Sequence, residues 1–178
     1  MKRMNAIALT LPLFAGLGIW VSKAALGADV QVLQAPGDVC SLVSTQTVTA
    51  IFGSPASSQT SNPASQCLWT SASSGERGIN AILMLIEWPG PTEVTRLAQA
   101  PNFGVAARSG RRVTELPAAA MWLEPETPEY ADHELLVLSG GMVMSIYVSA
   151  SPQKDADAGS QEYAAAVKLA KEALLNLP

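Results

Sequence analysis

The apolar positions change period along the chain, and the changes outline its elements. Ile79-Asn80-Ala81-Ile82-Leu83-Met84-Leu85-Ile86-Glu87-Trp88 is apolar at both parities, which predicts a central strand covered on both faces. Cys67-Leu68-Trp69-Thr70 begins another strand, and a polar turn, Ser73-Ser74-Gly75-Glu76-Arg77-Gly78, joins the two. The strongest local signal is Glu134–Ser139 and Met142–Ser149 around Gly140-Gly141, a two-residue hairpin turn whose glycines accept positive φ. Weaker strand patterns cover Val113–Leu116 and Ala119–Glu124.

Three stretches carry the helical period instead. Ser44 caps a short helix with Val48, Ile51 and Phe52 on one face, ended by Gly53 and Pro55. Gly90-Pro91-Thr92-Glu93 opens a second, with Val94, Leu97 and Ala98 at helical spacing and a stop before Pro101. Ser160 caps a third of about four turns, striped by Tyr163, Val167, Ala170, Leu174 and Leu177. Residues 54–65, 102–110 and 125–132 read as loops. The pattern predicts an α+β fold: a mostly antiparallel sheet with helices packed chiefly on one face. There is no internal repeat, and one domain runs from about residue 36 to 178.

The N-terminus has its own pattern. Met1-Lys2-Arg3 is a positive start, Met4 to Val21 is uncharged, and Ser22–Ala28 is polar to small. This three-part layout predicts a secretory signal peptide over residues 1–28, followed by a short leader at 29–35. Cleavage is expected after Ala28, with Gly27 as the alternative. An uncleaved anchor is the rival reading; Pro12 and the small-residue segment count against it. No cysteine ends the apolar stretch, so a lipid anchor is not expected, and the product is expected to be soluble in the periplasm or outside the cell.

Composition narrows the class. In 178 residues, 48% are hydrophobic and 15% charged, too apolar for a disordered chain. The net charge is −4; losing Lys2, Arg3 and Lys23 leaves 8 basic residues against 15 acidic, a net −7. That balance offers no footprint for nucleic acid and disfavours anionic lipid. Cys40 and Cys67 both fall in the exported part with no third thiol, so a structural disulfide is the default in an oxidising compartment. A redox pair would more often show Cys-x-x-Cys spacing, and a metal site needs more than the single His133.

Cys40-Ser41-Leu42-Val43-Ser44, a short helix ending at Phe52-Gly53-Ser54-Pro55, then Cys67-Leu68-Trp69 resemble a group of small exported bacterial domains of unknown function, many of them lipoproteins. That group pairs a Cys-x-Leu-Val-Ser segment with a later Cys-x-Trp. It often carries a Gly-Leu-Gly-Asp-x-Ala-aromatic stretch, which Glu115–Trp122 replaces here without the glycines or the acid. The resemblance implies a Cys40–Cys67 bridge, an envelope location and no enzymatic activity.

Candidate chemistry is thin. His133 has acidic neighbours, but no Gly-x-Ser-x-Gly elbow occurs, and a strand-edge surface histidine is the simpler reading. Glu124, Glu126, Glu129, Asp132 and Glu134 do not match an EF-hand loop and read as a solvated acidic segment. Arg108, Arg111 and Arg112 form the one basic cluster and are candidates for clamping an anion. Trp88 and Trp122 are candidates for a binding face, against the commoner role of strand aromatics in the core. The sequence therefore predicts a non-enzymatic exported domain that binds a partner protein or small ligand. The alternatives are an accessory subunit of an envelope assembly and, third, an enzyme. No metal or cofactor is expected.

Overall fold

A computed structural model describes residues 37–61, 65–71, 78–105, 109–125, 133–150 and 158–178, all within one compact unit, Gln31–Pro178. The signal peptide and leader expected at 1–35, Arg108 and most of the acidic segment lie outside the described residues.

Seven strands form one sheet in the order β1 (Ala56–Ser61), β2 (Gln66–Ser71), β3 (Ile79–Glu87), β7 (Met142–Ala150), β6 (His133–Ser139), β5 (Ala119–Leu123), β4 (Gly110–Val113). Every neighbouring pair is antiparallel. The fold is α+β, as the pattern predicts. The β6–β7 turn is the expected Gly140-Gly141, with φ of 57° and 106°, values that only glycine takes without steric cost.

Side chains alternate across the pleat, so each face has its own core. The first face collects Cys67, Trp69, Ile82, Met84, Ile86, Trp122, Leu135, Val137, Met142, Met144, Ile146 and Val148. Helices α1 (Thr45–Phe52) and α3 (Ala158–Asn176) cover it. Ser44 caps α1 by accepting from the Thr47 N–H at 3.2 Å, and Gly53 ends it in the left-handed region at φ 74°. Helix α2 (Pro91–Gln99) lies on the second face, where Val94 meets Met121, Leu123, Leu136 and Leu138. Two of the three described helices thus share a face.

Several elements differ from the pattern's reading. The polar tract expected as a loop contains β1, whose backbone pairs with β2 from Ala56↔Ser71 to Ser61↔Gln66. An edge strand exposed on both faces has no apolar alternation to reveal it. β4 begins at Gly110 and ends at Val113, earlier than expected, because its register with β5 sets Val113 opposite Ala120. In α3 the buried residues are Glu162, Ala165, Ala166, Val167, Leu169, Ala170 and Ala173, so Val167 and Ala170 of the expected stripe are buried while the seam is rotated towards the alanines. Alanines let the helix sit close to the sheet, so the larger Tyr163 and Leu174 flank the seam, half-buried. Residues 101–104 form a 3₁₀ turn in which Asn102 and Phe103 both have positive φ, 46° and 54°. Phe103 is 1% exposed in the second core, and burial of its ring offsets the left-handed backbone's cost.

The two cysteines form a disulfide with Cα atoms 5.0 Å apart. It ties the 3₁₀ turn Val39–Leu42 to β2. Thr60 of β1 closes beside it, donating to Asp38 Oδ1 at 3.0 Å.

Candidate functional site

His133 opens β6, pairing with Val148 and therefore standing on the first face. Its ring lies flat on Trp122 of β5, with centroids 5.2 Å apart and planes within 7°. Each ring nitrogen faces a carboxylate. Nδ1 lies 2.5 Å from Oε2 of Glu162 in α3, a close charge contact whose angles depart from an ideal hydrogen bond. Nε2 lies 3.1 Å from Oε2 of Glu124, just past β5. The Glu162 side chain is 3% exposed, His133 19% and Glu124 49%, so the row runs from the core to solvent. This is an internal, oriented histidine rather than the strand-edge surface residue expected.

A second set of contacts backs it. Tyr163 meets Trp122 edge-on at 5.4 Å, and Arg111 lies 4.0 Å above the Tyr163 ring. The Tyr163 hydroxyl donates to Glu115 Oε1 at 2.7 Å. Burial, then that bond, raise the Tyr163 pKa above its ordinary value, and the same bond chiefly lowers that of Glu115. The constellation Glu124–His133–Glu162 with Trp122, Tyr163 and Arg111 joins β4, β5, β6 and α3.

Chemically, an imidazole between two carboxylates is a bridge. Protonated, it donates to both; neutral, to one. Among the described residues no group of three His, Cys, Asp or Glu side chains is arranged to hold a metal. The arrangement locks α3 to the sheet.

The other candidates separate. Arg111 and Arg112 are adjacent on a strand and point to opposite faces, Arg112 lying 5.3 Å above Phe103 on the second. The two guanidiniums do not converge on one anion. Trp122 is 2% exposed and forms the floor beneath His133, while Trp88 packs half-buried against the first core. These aromatics share no open face.

No protein-family model, curated protein or solved structure matches the chain.

The second face supplies a contrast. Register aligns Gln59, Leu68, Leu83, Tyr147, Glu134 and Leu123 in one row across six strands. At the Leu123 end, α2 and the Phe103 turn complete a core. At the other end Leu68, Leu83 and Tyr147, with Leu85 one row along, are partly buried and belong to neither core. The expectation that the Ile79–Trp88 strand is covered on both faces holds for Ile82, Met84 and Ile86, whereas Leu83 and Leu85 on its second face are only partly buried, because α2 lies over β5 and β6 instead. The sequence reading missed Glu162 because that residue lies on the alanine stripe, where an acid at i relative to Ala166 and Leu169 is the only signal.

Proposed function

We propose that the chain is an exported, non-enzymatic domain that binds a partner protein through the β2–β3–β7 part of its second sheet face. Leu68, Leu83, Leu85 and Tyr147 carry the reading: they form a contiguous, partly buried apolar row beside, but outside, the core under α2. Such a row is where a partner's apolar side chains gain most from burial. Export rests on the residue 1–28 pattern and is supported by the disulfide, a bond that persists in oxidising compartments. Among the described residues no helix is long and apolar enough to cross a membrane. Kinship with the two-cysteine exported group belongs to the same reading and rests on the Cys40–Ser44 and Cys67–Trp69 segments.

Native mass spectrometry of the protein, purified gently from its own envelope, tests the proposal beside a Leu83→Lys variant. The wild type is expected to carry a defined protein adduct that the variant loses while its melting curve stays within a few degrees. An adduct retained by a folded Leu83→Lys variant, or a wild-type native mass equal to the denatured one, overturns it. The denatured mass also fixes the cleavage site.

A further inference from the structure

The two edges of the sheet are unlike. β4 is four residues long and carries Arg111 and Arg112, so charge and shortness guard it against added strands. β1 has neither guard. Its Ser57, Ser58, Gln59 and Thr60 are exposed, and among the described residues its one neighbour in the sheet is β2, so one row of its backbone N–H and C=O groups has no strand partner there. No charged residue lies between Asp38 and Glu76. The chain as a whole is acidic, at a net −4, and two copies repel over most approaches; β1 itself carries no charge, with Asp38 accepting from Thr60 near its end.

We infer that β1 pairs with β1 of a second copy, joining two sheets antiparallel about a two-fold axis normal to them. Such an axis keeps the faces aligned, so facing positions must share parity. Pairing about Ser58 satisfies this and sets Ser58 opposite Ser58, Ser57 opposite Gln59 and Ala56 opposite Thr60. Every facing pair is small or polar, and none sets like charge against like. Six residues per strand bury less than the roughly 1,200 Å² of a stable specific interface, so the association is weak and reversible. The pairing uses β1 alone and stands independently of the partner site proposed above.

Sedimentation velocity across a concentration series of the mature, oxidised protein is the test. The wild type is expected to move from monomer towards dimer above about 100 μM, the range of a weak interface. The register makes a sharper demand. Ser57→Lys with Gln59→Lys sets two like-charged pairs opposite each other and is expected to abolish dimerisation. Ser57→Lys with Gln59→Glu sets opposite charges across the same positions and is expected to lower the dimer constant several-fold below wild type. All four side chains concerned are exposed, and circular dichroism checks that each variant folds. A wild type monomeric to 1 mM overturns the inference, as does a dimer that the double lysine variant retains. Equal behaviour of the two double variants overturns the register and with it the β1 interface.

Discussion

Breaking the Cys40–Cys67 link is the perturbation with the most calculable effect. The bridge closes a sequence separation of 27 residues enclosing α1 and β1. In the chain-entropy treatment, closing a loop of that length lowers the entropy of the unfolded chain by about 12 cal/mol/K, or about 3.5 kcal/mol at 25 °C. For a unit spanning Gln31–Pro178, an unfolding entropy of about 310 cal/mol/K converts this to a fall in Tm of about 11 °C. In urea, at a slope of ~1.5–2 kcal/mol/M, the midpoint should drop by about 2 M. Cys67 is fully buried, so Cys67→Ala adds a packing loss of its own. Oxidised against reduced wild-type protein is therefore the primary comparison, with the Cys40→Ala/Cys67→Ala double variant beside it. Urea unfolding followed by tryptophan fluorescence, with and without reductant, reads both. Coincident midpoints for the oxidised and reduced forms refute the argument, because the native contacts are the same and only the unfolded chain's freedom differs.

Three further outcomes follow from other parts of the molecule. Ile82→Pro removes a ladder hydrogen bond in β3, an internal strand, at a side chain with no exposure, and is expected to prevent folding; a native circular dichroism spectrum sinks that placement. His133→Ala removes the imidazole between Glu124 and Glu162 and the ring stacked on Trp122, and is expected to cost about 3 kcal/mol in urea unfolding at pH 7; a loss under about 1 kcal/mol refutes the lock. Glu172 accepts from the Ser44 N–H at 2.8 Å, joining α3 to the start of α1. Burial raises its pKa, but hydrogen bonds from Thr47 and Ser44 outweigh burial and leave it lowered. A carboxyl held low when folded contributes stability above its unfolded pKa and loses it as pH falls through the folded value. Glu172→Ala should therefore melt below wild type at pH 7, and the two curves should converge below about pH 4; an offset constant with pH contradicts the charged role.

The elements legible in the sequence were those whose neighbours are close along the chain. Gly140-Gly141 declares the β6–β7 hairpin in four residues, and Gly90-Pro91 declares the start of α2, because backbone chemistry acts locally. β1 was illegible for the opposite reason: what makes it a strand is pairing with β2, and Ser and Thr exposed on both faces carry no period. The candidate site failed to show because its members meet only after folding. Glu162 lies 29 positions after His133 in the chain, and nothing near either residue announces the other. The opposed arginines were legible in principle. Once Gly110–Val113 is read as a strand, Arg111 and Arg112 must face apart.

The distribution of these features over the two faces bears on what the domain can do. The first face is closed: α1 and α3 cover it, the disulfide ties its entry to β2, and the Glu124–His133–Glu162 row pins α3 at the far side. His133 stands between a carboxylate on α3 and one beside β5, so the row spans the seam between helix and sheet. The second face is finished only where α2 and Phe103 lie, and passes through Leu83 and Leu68 to the uncharged edge at β1. Helix cover, the disulfide and the histidine row lie on the first face, and partly buried apolar side chains outside either core lie on the second. Under the function proposed above, the covered first face keeps the sheet's register fixed while the second face and the β1 edge meet a partner.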